Sequence, residues 1–187
     1  PTFVVIEPTQ ARAVIGYGDG TVRGLGLVLD GAQPTELAKL SATPIAATAD
    51  IDGDGVLIGT DGGELLSLKG ATVAKLADTG GPWVGQVAVN SAKGLRAFAA
   101  GKTVTVLNAE GETVLTSDDH PSTVAGLSFS PDGTRIAAAH YNGVTVYTLT
   151  DANQKPVLLE WHGSHTAVSW SPNGKFIVTA MQDKEMH

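Results

Sequence analysis

Short runs of alternating apolar and polar residues fill this chain, and turn-forming residues interrupt them at regular intervals. The clearest run is Ala125-Gly126-Leu127-Ser128-Phe129-Ser130-Pro131-Asp132-Gly133-Thr134-Arg135-Ile136-Ala137-Ala138-Ala139. It recurs 41 positions later as Thr166-Ala167-Val168-Ser169-Trp170-Ser171-Pro172-Asn173-Gly174-Lys175-Phe176-Ile177-Val178-Thr179-Ala180. A period of two places successive side chains on opposite faces, so each run predicts a strand with one face turned to a core. Gly55, Gly94, Gly133 and Gly174 mark the turns inside these runs, and Ala11-Arg12 holds that place in the first copy. A second glycine-bearing turn follows each: Gly18-Asp19-Gly20, Asp61-Gly62-Gly63, Gly101-Lys102 and Asn142-Gly143. Glycine and asparagine tolerate the positive φ that such hairpins need.

Each unit therefore reads as strand, turn, strand, turn, strand and a weaker fourth strand. The second unit predicts strands at Ile45–Asp50, Val56–Thr60, Leu65–Lys69 and Thr72–Leu76. The third predicts Val84–Asn90, Leu95–Ala100, Thr103–Leu107 and Glu112–Thr116; the fourth Thr123–Ser130, Thr134–Ala139, Val144–Leu149 and Pro156–Glu160. No segment shows a capped 3.6-residue period. The expected fold is all-β, a β-propeller of four-stranded antiparallel blades, with about four and a half blades present. Residues 1–187 read as a single propeller region, either part of a larger one or completed by a second chain, because an unpaired blade edge exposes a row of N–H and C=O groups.

Ser130-Pro131-Asp132-Gly133 and Ser171-Pro172-Asn173-Gly174, with His120 eleven residues before Pro131, resemble the blade signature of WD40-repeat propellers. Asp119 stands where that family has the glycine of its Gly-His pair, and Tyr147-Thr148 where it has Trp-Asp. The likeness covers about residues 118–180 in motif and the earlier part in topology. It implies a seven-bladed parent architecture and binding of a protein or peptide on the face that carries the blade-to-blade links.

Blade topology places the candidate residues. His120, His162 and His165 fall in links or at the start of a first strand, His140 ends a second strand, and His187 follows the corresponding turn of the fifth unit. All lie toward the link face. Trp83, His140, Tyr141, Trp161 and His165 form the candidate partner-binding set, since Trp and Tyr dominate interface hot spots. Trp170 aligns with Phe129 on an innermost strand and reads as packing between blades.

Two metal alternatives use the same residue types. Neutral imidazole is a good zinc ligand, so His140, His165 and His187, with Asp119, Asp183 or Glu185 as an oxygen donor, form a candidate zinc site. Asp50-Ile51-Asp52-Gly53-Asp54-Gly55 matches the opening of a calcium loop, but Ile58 occupies the ninth position where a further ligand belongs, and a plain hairpin turn accounts for the same residues. A metal-dependent propeller hydrolase or lactonase is the catalytic alternative. Ser122, Ser164 and Ser169 lie near histidines in sequence, yet no nucleophile-elbow motif surrounds them.

Charge and composition narrow the partners. The 187 residues carry a net charge of −7 with scattered Lys and Arg, which argues against a phosphate-backbone binder and so against nucleic acid. The absence of cysteine removes disulfides and thiolate chemistry. No run approaches the length of a membrane span and no signal peptide is visible, so the expectation is a cytoplasmic protein without a membrane partner.

Overall fold

The computed structural model describes residues 1–27, 32–151 and 153–182. It is nearly all-β and divides into two compact units, residues 1–87 and 88–187. The first holds two antiparallel sheets, β1 (Phe3–Glu7), β2 (Arg12–Gly16), β3 (Thr21–Gly26) and β4 (Thr35–Lys39), then β5 (Pro44–Ala49), β6 (Val56–Thr60), β7 (Glu64–Lys69) and β8 (Thr72–Asp78), each ordered as in the chain. Val14 and Val22 of one sheet pack with Val56, Ile58, Leu66 and Leu68 of the other. β6 is buried throughout, whereas β8 is largely exposed, so burial falls toward the outer strand.

A third sheet comprises β9 (Val84–Asn90), β10 (Leu95–Ala100), β11 (Thr103–Leu107) and β12 (Thr113–Thr116), and a fourth β13 (Gly126–Phe129), β14 (Arg135–Thr148), β15 (Val157–Trp170) and β16 (Ile177–Met181). Within the second unit, Ala97, Ala99, Val104 and Val106 pack against Phe129, Ile136 and Ala138. Ala137, Ala139 and Val144 form a further cluster with Val146, Val168, Trp170 and Ile177. The alanines of the second strands are buried, the size required where sheets approach on both faces.

β6, β9, β10 and β11 have the predicted bounds. β14 and β15 differ, because each absorbs two predicted strands. A straight strand the length of β14 would hold its ends roughly 45 Å apart. Instead the Leu149 N–H donates to the Thr134 carbonyl at 2.8 Å, so β14 folds back on itself. Asn142 (φ 66°) and Gly143 (φ 144°) make that reversal. β15 pairs Leu159 with Val144 at one end and Trp170 with Ile177 at the other, and so passes from the edge of one blade into the next without a loop.

The first turn of each unit has one backbone solution. Gly53, Gly133 and Gly174 donate to the carbonyls of Asp50, Ser130 and Ser171, with φ of 68°, 67° and 67°. Gly94 (φ 61°) caps the 3₁₀ turn Ser91–Lys93 and Ala11 (φ 44°) caps Pro8–Gln10 in the same manner. In the second repeat the left-handed turn position thus belongs to Gly53; the sequence spacing had pointed to Gly55, which follows it at φ 145°.

Candidate functional site

Three histidines of the second unit are buried: His120, His140 and His165. Each is held the same way, between one backbone carbonyl and one hydroxyl. His120 Nδ1 lies 2.7 Å from the Lys102 carbonyl and Nε2 3.0 Å from the Tyr147 hydroxyl. His140 Nδ1 contacts the Tyr141 carbonyl and Nε2 the Thr145 hydroxyl, both at 2.8 Å. His165 uses Nε2 for the Trp161 carbonyl and Nδ1 for Thr179, both at 3.0 Å. A carbonyl only accepts, so the nitrogen facing it carries a proton, and the other ring nitrogen faces a hydroxyl, which can donate to it. Both nitrogens of every ring are therefore committed to protein partners.

The His120 arrangement extends further. The Val104 N–H donates to Ser117 Oγ at 2.9 Å, and Tyr147, which lines the same cavity as Ser117, bonds His120, which in turn bonds the Lys102 carbonyl. His120 and His140 face each other with ring centroids 5.0 Å apart. Burial, with the adjacent His140, pushes the His120 imidazole below its ordinary value, and burial pushes the Tyr147 phenol up. A cavity of about 390 Å³ opens beside this network, lined by Ser117, Asp118, Asp119, His120 and Tyr147.

Residues 111–146 and 154–187 match the family model of the WD domain, G-beta repeat. These two segments match as WD40 repeats. Each matched WD40 segment begins at or before the outer strand of one blade and runs into the next, so the repeat in sequence is staggered against the sheet in space. The position of the WD40 Trp-Asp dipeptide is taken by Tyr147, whose hydroxyl supplies the histidine with its partner here.

This geometry changes the standing of the predicted site residues. His140 and His165 are 1% and 2% exposed, so neither offers a surface to a partner, and neither has a ring nitrogen open to zinc. His187, Asp183 and Glu185 lie outside the described residues. The loop carboxylates diverge. Asp50 is buried and accepts from the Ile51 N–H and from Ser67 Oγ at 2.6 Å; Asp52 pairs with Lys69; Asp54 accepts from Gln10. Among the described residues no three His, Asp or Glu side chains converge as a metal site. Ser122 Oγ accepts the Tyr141 N–H, and the hydrogen-bond partners of the three buried imidazoles are carbonyls and the hydroxyls of Tyr147, Thr145 and Thr179.

The aromatic residues behave differently. Trp161 is 53% exposed, Tyr141 43% and Trp83, in the first unit, 66%. Tyr141 meets the exposed His162 edge-on at 6.0 Å, a pairing that the sequence did not single out. Trp170 packs as expected: its indole N–H donates to the Ser128 carbonyl at 3.0 Å, and the Arg135 guanidinium covers its ring at 4.4 Å. Among the described residues no helix is long and apolar enough to cross a membrane.

Proposed function

We propose that this chain is a non-catalytic interaction module that binds a protein or peptide on the side carrying the blade-to-blade links. Tyr141, Trp161 and His162 are its contact platform in the second unit, and Trp83 is an anchor of the same kind in the first. WD40 domains generally mediate protein–protein interaction. The observation that carries the choice of face is the contrast between layers. Large rings stand exposed at Tyr141 and Trp161, while the histidines next to them in sequence, His140 and His165, are buried and bonded to their backbone carbonyls. Rings held on a fixed backbone bind with little loss of side-chain freedom.

Photo-cross-linking tests this. A photoreactive phenylalanine in place of Trp161 or Tyr141 is expected to trap a shared partner, whereas the same group in place of exposed Val73 traps none of it. With the trapped partner purified, Trp161→Ala is expected to weaken binding by about thirtyfold, the loss of one aromatic hot spot. Equal trapping at all three positions, or unchanged affinity of the variant, overturns the assignment.

A further inference from the structure

The cavity of about 390 Å³ beside His120 lies at the junction of two neighbouring blades. Leu115 of β12 and the link 117–121 line one side, and Thr145 and Tyr147 of β14, with Pro156, line the other. Each side is paired within its own blade, Thr116 with Thr105 in one and Thr145 with Leu158 in the other. The shape of the cavity is thus a property of the junction itself.

The buried polar groups of the cavity already have partners. His120 is committed to the Lys102 carbonyl and the Tyr147 hydroxyl, and Ser117 Oγ accepts the Val104 N–H. The exposed groups differ. Asp118 and Asp119 both line the cavity, and among the described residues their carboxylates take part in no ion pair or hydrogen bond. In the first unit, by contrast, Asp19, Asp52 and Asp78 each meet a lysine.

The field of the two carboxylates reaches inward. Burial, with the charge of Asp118, pushes the Tyr147 phenol up, and burial pushes the His120 imidazole down while Asp119 opposes it. The cavity therefore joins an apolar lining, Leu115, Pro121 and Pro156, to a mouth of unpaired acceptors. The complement of that arrangement is a side chain with an apolar stem and a charged head that only donates, which describes lysine and arginine.

We infer that this junction takes a basic side chain of a partner polypeptide, its stem along Leu115, Pro121 and Pro156 and its head against the carboxylates of Asp118 and Asp119. Charge-assisted hydrogen bonds to the carboxylates supply the strength, and the apolar lining selects a long stem over a small bare cation. Tyr141, Trp161 and His162 do not line the cavity, so this site and the platform stand or fall separately.

The test is an amide NMR titration of the full, isotopically labelled chain with the end-capped peptide Gly-Arg-Gly. Saturable shifts are expected at the Asp118, Asp119 and Gln154 amides, with a Kd on the order of 1 mM. Asp118→Asn and Asp119→Asn are each expected to weaken binding about fivefold, the scale of a partly exposed ion pair. Neither carboxylate holds a bond within the described fold, so both variants keep it. Gly-citrulline-Gly, which keeps the stem and loses the charge, is expected to give no saturable shifts. Absence of saturable shifts with Gly-Arg-Gly, shifts centred on other amides, equal binding of the citrulline peptide, or binding insensitive to both variants overturns the inference. Equal shifts from calcium chloride at the same concentration assign the carboxylates to any small cation and also overturn it.

Discussion

Tyr147→Phe removes the hydroxyl that bonds His120 while keeping the ring that packs against the cluster of Val104 and Val106. The variant leaves His120 Nε2 without its partner. A buried polar group left unpaired costs about 1–3 kcal/mol. The adjacent cavity of about 390 Å³ lets water reach the site, so the expected loss is the low end, about 1–2 kcal/mol. The variant also alters the pH dependence. His120 has a lowered pKa in the folded state, so between pH values near the unfolded figure of about 6.5 and the folded one the unfolded chain binds more protons. Stability is full above that unfolded value and is lost as pH falls through the folded one, with a slope of at most about 1.4 kcal/mol per pH unit for one histidine. The Tyr147 bond favours neutral imidazole, so its removal raises the His120 pKa and flattens the slope. Urea unfolding followed by tryptophan fluorescence at several pH values from 7.5 to about 5 measures both effects. A loss below about 0.3 kcal/mol with an unchanged slope refutes the reasoning.

Ala11 holds a left-handed conformation that costs an L-residue about 1–2 kcal/mol, against about 0.5–1 kcal/mol of chain entropy that glycine adds to the unfolded state. Ala11→Gly is therefore expected to raise Tm by roughly 2 °C, readable by thermal denaturation, while Gly133→Ala lowers it. Calcium and zinc are expected to leave Tm unchanged, and EDTA likewise, because the Asp50, Asp52 and Asp54 carboxylates and both nitrogens of His140 and His165 already have protein partners. A concentration-dependent rise in Tm with either metal contradicts this.

The blades were legible because alternation and turn chemistry are local. β9 and β10 emerge with the predicted bounds since each is an apolar run closed by a residue that cannot continue it. The Asp50–Gly55 turn was misregistered for a local reason too: two glycines stand there, and only the donor to Asp50 identifies the one that turns. The site was legible in residue type and not in direction. A histidine at a strand end looks the same whether its ring faces outward or inward. What decides is the partner it finds, and Lys102 and Thr179 lie 18 and 14 positions from His120 and His165. Thr145, Thr179 and Ser117 carry no signal of their own. Trp83, Tyr141 and Trp161 are exposed, Tyr141 and Trp161 within strands where the alternation alone does not tell which ring faces outward.

The recurrent left-handed turn separates what repeats in this chain from what can be spelled. Ala11, Gly53, Gly94, Gly133 and Gly174 share one sign of φ and one hydrogen-bond closure, although the residues around them are Pro-Thr-Gln, Asp-Ile-Asp, Ser-Ala-Lys, Ser-Pro-Asp and Ser-Pro-Asn. Residue identity recovers two of these copies as family repeats. Dihedral angle recovers all five. The vocabulary of this turn thus changes from copy to copy while its metre stays fixed.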